Sequence, residues 1–234
     1  MGKQGNIKLR GTVDNIIFYQ WKGIHCIRTV PARVRQTDNT RQAASRFGLA
    51  VKSASVLRAM LKPVLPDPAN NAIRYDLDNA FRKWLHTDPL EKTEQESMMP
   101  FFKDFNFNKA AILGKLFRVI NVNRLSESDL LIELPAFNPA KEVTGPKGTT
   151  RLQLTLTAAV LSFKDQAQNK CVSADWYVPY EDKMIPLREI ILPGLTVSQS
   201  LVLVVMGIRY YRGNETLMDQ MRWKPVGIVG SFYN

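Results

Sequence analysis

GTVDNIIFYQWKGIHCIRTVP, running from Gly11 to Pro31, decides how the first part of the chain folds. Ile16–Trp21 and Ile24–Val30 are rich in β-branched and aromatic residues, and only Lys22 and Gly23 separate them. A two-residue loop containing a glycine able to adopt φ > 0 predicts a tight antiparallel hairpin. Pairing outward from that turn sets Trp21 opposite Ile24, Tyr19 opposite Cys26 and Ile17 opposite Arg28 on one face. Phe18 opposite Ile27 and Gln20 opposite His25 occupy the other. Both faces carry large apolar groups, and an isolated two-stranded ribbon is marginal in water, so a cover is expected on at least one side.

The segment after the ribbon is a candidate cover. Thr37, Asp38 and Asn39 offer N-cap oxygens, and Gln42 follows Asn39 at capping-box spacing. Ala43, Phe47, Ala50, Ala54, Leu57 and Leu61 then recur at heptad spacing, while Lys62 and Pro63 mark the stop. Such a short seam is first of all an intramolecular packing face. A second helix is expected over Ala72–His86, with Ile73, Leu77, Ala80, Phe81 and Trp84 on one face and Asp78 placed to pair with Arg82. Thr87–Pro100 is polar and acidic, which puts a domain boundary near residue 100.

Beyond it the pattern changes to strands. Arg151–Phe163 alternates most cleanly: Leu152, Leu154, Leu156, Ala158 and Val160 point one way, and Gln153, Thr155 and Thr157 the other. Leu130–Leu134, Cys171–Val178, Leu187–Leu192, Leu201–Tyr211 and Val226–Tyr233 read as further strands. Leu113–Val122 fits either a strand or a helical turn. The expected fold is therefore α+β, an N-terminal β-hairpin and two-helix layer (residues 1–100) joined to an antiparallel β-sandwich (residues 101–234).

Charge is placed unevenly. The net charge is +11 over 234 residues. Residues 1–65 hold twelve Lys or Arg against Asp14 and Asp38, a net of +10, while the other 169 residues balance to +1. That asymmetry points to an anionic partner, whether nucleic acid, a membrane surface or an acidic protein. Arg28, Arg33, Arg35 and Arg41 are the candidate phosphate contacts, with Phe18, Tyr19 and Trp21 near enough in sequence to stack bases.

Chemistry-bearing motifs are sparse. His25 and His86 lack a second ligand at metal spacing, except that Cys26, as the strand neighbour of His25, points to the opposite face. GPKGTT (Gly145–Thr150) lacks the spacing of a phosphate loop and is expected to be a turn between strands. There is no GxSxG and no HExxH. No cofactor or metal is implied, and a non-enzymatic chain is the expectation. No apolar run is long enough for a membrane helix, and no Sec signal pattern opens the sequence, so a cytoplasmic location with free thiols at Cys26 and Cys171 is expected.

GTVDNIIFYQWKGIHCIRTVPARVRQT, followed by TRQAASRFGLA, FNFN (Phe105–Asn108), PAFNP (Pro135–Pro139) and GPKGTT, resembles an uncharacterised bacterial family common in Bacteroidota and known only as a domain of unknown function. The resemblance covers most of the chain. It implies the same order of ribbon, helices and β-rich half, and it supplies no catalytic or binding residue. The functional expectation is a structural or interaction subunit that self-associates, through Ile17, Tyr19 and Trp21, through the Phe47-containing seam, or through an N-terminal arm packed on another subunit. In that reading the basic region faces an anionic partner. The alternative is a nucleic-acid-binding accessory protein.

Overall fold

The computed structural model describes residues 2–4, 8–30, 36–67, 69–87, 101–102, 104–116, 120–126, 128–195, 199–216 and 221–233. Two compact units emerge, Met1–Ala44 and Ser45–Asn234. The fold is mixed α+β with three antiparallel sheets. The boundary expected near residue 100 falls in a stretch outside the described residues.

The first unit is a four-stranded sheet in the order β1 (Gly2–Lys3), β4 (Ile24–Thr29), β3 (Ile16–Trp21), β2 (Gly11–Val13). Lys22 and Gly23 both take positive φ, 49° and 80°, which is the two-residue turn whose twist matches its strands. That turn fixes the register, and every cross-strand pair expected from it is present, from Trp21 opposite Ile24 to Ile17 opposite Arg28. A second hairpin joins β2 to β3 through Asp14 and Asn15, with Asp14 at φ 51°. Two residues of the N-terminal arm pair within their own chain: Gly2 lies opposite Ile27 and Lys3 opposite Cys26. The Gln4 side chain accepts from the Leu9 N–H at 2.6 Å and donates to the carbonyl of Cys26 at 3.1 Å.

In the second unit the central sheet has the order β11 (Glu215–Thr216), β10 (Ser200–Arg212), β7 (Arg151–Ser162), β8 (Lys170–Pro179), with β12 (Val226–Tyr233) also on β10. A smaller sheet runs β5 (Asn121–Arg124), β6 (Leu130–Leu134), β9 (Arg188–Leu192). One face of the central sheet, from Leu152, Leu154, Leu156, Val202, Val204 and Met206, shares a core with Ile132, Leu134 and Leu192 of the smaller sheet. This is the sandwich expected from the alternating strands.

The opposite face carries helices. Ala159, Leu161, Leu201, Leu203 and Val205 meet Ala50, Ala54, Leu57 and Leu61 of α1 (Asp38–Met60) and its exit turn, and Leu77, Phe81 and Trp84 of α2 (Asn71–Leu85). Covered on both sides, β10 reads as an almost unbroken apolar run. The seam of α1 is thus consumed inside the molecule from Ala50 onward, whereas Ala43 and Phe47 remain exposed. Its N-terminus is capped by Thr37, whose hydroxyl oxygen accepts from the Thr40 N–H, rather than by the Asn39–Gln42 box. Asn70 caps α2 by accepting from Ala72 and Ile73. Asp78 lies 4.0 Å from Arg74 rather than pairing with Arg82, whose guanidinium stacks on the Phe47 ring. Leu113–Val122 is both of its alternatives in turn, a helical turn α3 (Leu113–Leu116) and then β5.

Candidate functional site

The first unit has almost no core of its own. Among its described residues only Cys26 is a fully buried apolar side chain, while Val13 is 63% exposed, Trp21 53% and Ile24 45%. The described strands of the unit are two to six residues long and form a single sheet, so each face offers little area to bury.

The hairpin register places Ile17, Tyr19 and Trp21 on one face with Ile24, Arg28 and Lys3. Arg28 sits 5.4 Å over the Tyr19 ring, and Lys22 sits 5.0 Å over Trp21. Each cationic head is thus held against an aromatic face. Arg10 binds the side chain of Gln20 on the opposite face. Of the candidate phosphate contacts, Arg28 joins this cluster. Arg41 lies in the first turn of α1, exposed and 3.6 Å from Asp38. Arg33 and Arg35 lie outside the described residues. Phe47 belongs to the second unit, stacked under Arg82, and is not part of the ribbon face.

The remaining motifs have structural work. Asn106 accepts from the Leu113 N–H at 2.9 Å, and Asn108 donates to the carbonyls of Met221 and Lys224, so FNFN ties a loop to the approach of β12. In PAFNP, Phe137 is buried, and Asn138 caps the single-turn helix α4 (Pro139–Glu142). Asn138 also donates to Asp182 at 2.7 Å; Lys141, 2.7 Å from the same carboxylate, is the first cause that holds the Asp182 pKa below the usual carboxylate range, with Asn138 adding to it. GPKGTT is a turn, as expected: Gly148 has φ 87°, and the Arg212 guanidinium packs on it and donates to the carbonyl of Lys147.

A second polar patch was not foreseen. Arg151 is sandwiched between the rings of Tyr177 and Tyr211, at 5.1 and 5.0 Å, and the Tyr211 hydroxyl donates to buried Gln153 at 2.6 Å. Its members come from three strands, and only their register assembles them. An open cleft of about 690 Å³ lies beside α2, lined by Asp76, Lys83, Phe105 and Lys109 among others, with Lys109 bridged to Asp76 at 2.6 Å.

Among the described residues no group of three or more His, Cys, Asp or Glu is arranged to hold a metal. Cys26 and Cys171 are free thiols, one buried and one exposed, and desolvation pushes the Cys171 pKa up. No helix among the described residues is long and apolar enough to cross a membrane. No protein-family model, curated protein or solved structure matches the chain.

Proposed function

We propose that the chain is a non-enzymatic structural or interaction subunit that self-associates through the Ile17/Tyr19/Trp21 face of its N-terminal sheet and presents the cations around that face to an anionic surface. The observation that carries this reading is that Cys26 is the one fully buried apolar side chain among the described residues of Met1–Ala44. A unit of this size usually needs a disulfide, a metal or an oligomer to hold its fold. Both cysteines are free, so no disulfide staples the unit, and association with a second copy is the cover this reading supplies. Burying the exposed tips of Trp21 and Ile24 supplies apolar area that the single sheet lacks.

Sedimentation across a concentration series tests this. The expected result is a mass above that of one chain at high concentration, with Trp21→Ala and Ile24→Ala each weakening association. A wild-type chain that remains monomeric throughout overturns the reading.

Nucleic-acid binding is the second reading, supported by the stacked pairs Arg28/Tyr19 and Lys22/Trp21. Aromatic faces flanked by cations are what single strands bind. Fluorescence anisotropy with a labelled single-stranded oligonucleotide should show affinity falling steeply between about 50 and 200 mM salt, and Arg28→Ala should flatten the log–log slope by roughly 0.7. Binding that ignores salt, or no binding, removes this second reading.

A further inference from the structure

The outer face of the smaller sheet carries a feature that its own stability does not require. By register it presents Asn121 and Asn123 from β5, Leu131 and Glu133 from β6, and Glu189 and Ile191 from β9. Glu133 and Glu189 stand directly opposite each other. Like charges in that position repel, and a sheet chosen for stability alone places opposite charges there. Glu133 accepts from the Asn123 side chain at 3.1 Å, and Glu189 has no partner among the described residues. The arginines of these strands, Arg124 and Arg188, fall in the other register, opposite Leu130 and Leu134. Beside the glutamates lie half-buried Leu131 and Ile191, the latter 53% exposed. The face is therefore acidic and partly apolar, with no cation among its six register positions.

The face of the N-terminal sheet that bears Trp21 is its complement. It offers exposed Trp21 and Ile24, with Lys3, Lys22 and Arg28 around them. Met1–Ala44 as a whole contains eight Lys or Arg against Asp14 and Asp38. Two copies of this unit set face to face would bring like charge against like, whereas cation face against glutamate face pairs both the charges and the apolar groups.

Resting on the self-association reading above, we propose that the partner of the N-terminal sheet is the Glu133/Glu189 face of a second copy of this chain. The two surfaces differ, so the contact is heterologous. It repeats head to tail, giving a ring if its rotation closes and a filament if it does not. The glutamate face measures only about 15 Å by 15 Å from strand length and spacing. That is small for a stable interface, so each contact is weak and reversible and the assembly depends on repetition.

Sedimentation velocity at roughly millimolar protein and low salt, where contacts as weak as 1 mM are populated, tests the pairing with two variants. One carries Lys3→Ala, Lys22→Ala and Arg28→Ala; the other carries Glu133→Ala and Glu189→Ala. Each alone is expected to be monomeric while wild type forms a concentration-dependent series. Their equimolar mixture should form a one-to-one dimer and stop there, because only one intact surface of each kind remains. Raising salt to about 1 M, where the Debye length is about 3 Å, should weaken both the wild-type series and the mixed dimer at least tenfold. The milder pair Glu133→Gln and Glu189→Gln, checked for a native melting curve, should weaken wild-type association in the same direction. A mixture that stays monomeric overturns the proposal, as does wild-type association unchanged by the glutamate substitutions. In that second case self-association itself stands with a different partner surface, and a monomeric wild type overturns both.

Discussion

Replacing Trp84 with alanine is expected to destabilise the second unit by about 3–5 kcal/mol, lowering Tm by roughly 6–20 °C for a unit of this size. The indole is 1% exposed and is the common neighbour of four other rings: Phe81 at 6.3 Å, Phe102 at 6.1 Å, Phe163 at 5.2 Å and Tyr233 at 5.8 Å. Those rings come from α2, from the segment that follows it, from just past β7 and from the end of β12. A cavity at this junction removes the contact that joins the helix layer to the sheet, and edge-to-face pairs add to the loss. Among the described residues the indole N–H finds no acceptor, so Trp84→Phe gives up volume without leaving a new polar group unpaired and should cost clearly less than alanine. Thermal or denaturant unfolding followed by near-UV circular dichroism measures both. Equal midpoints for Trp84→Ala and wild type would mean that the ring cluster does not hold the layer.

Local geometry made some of this legible from sequence. The two-residue Lys22-Gly23 loop admits only a narrow class of turn, and once the turn is fixed the register of β3 and β4 follows residue by residue. The juxtaposition of Tyr19, Trp21 and Arg28 was therefore readable in advance. The long strands β7, β8, β10 and β12 were readable for a different reason: alternation or sustained apolarity over eight or more residues leaves no other element type. The short β2 strand escaped because its turn rests on Asp14, a non-glycine residue at positive φ, and β1 because two residues carry no periodicity.

Pairings between distant segments were not legible. Glu133 and Glu189 are separated by more than fifty residues, and only the β6–β9 register sets them side by side. The Arg151 stack fails for the same reason, since Tyr177 and Tyr211 reach it from different strands. Phe47 shows a related limit: the heptad spacing of α1 is continuous, but the helix passes from one compact unit into the other, and only its later positions are buried. A periodic pattern states that a face exists, not how far along it the partner extends. The asparagines of FNFN and PAFNP stand out as motif residues, yet their partners are backbone groups, which sequence does not distinguish from ligands.

Gly230→Ala should destabilise by about 1–3 kcal/mol, through crowding rather than through backbone strain. A Cβ at this position would lie 3.0 Å from the Cβ of Val122 and 3.2 Å from each of its methyl carbons. Gly230 sits opposite Val204, where the β10–β12 register shifts by one residue, so β12 cannot slide to relieve the contact without disturbing the ladder on either side. The strain falls instead on β5, which Val122 anchors against β12 and which pairs in turn with β6. Val122→Ala removes two of the three close atoms at the cost of a small void. The double variant should accordingly be more stable than the sum of the single losses predicts, with a coupling of about 0.5–3 kcal/mol. Because β5 flanks β6, whose outer face displays Glu133, the same crowding should also displace the acidic surface. Gly230→Ala is therefore expected to weaken head-to-tail association at temperatures where the chain is still folded, and Val122→Ala in the same chain should restore it in part. Strict additivity in stability would show that Val122 and Gly230 do not share a contact. Unchanged association beside a real stability loss would show that β5 can shift without moving the glutamate face.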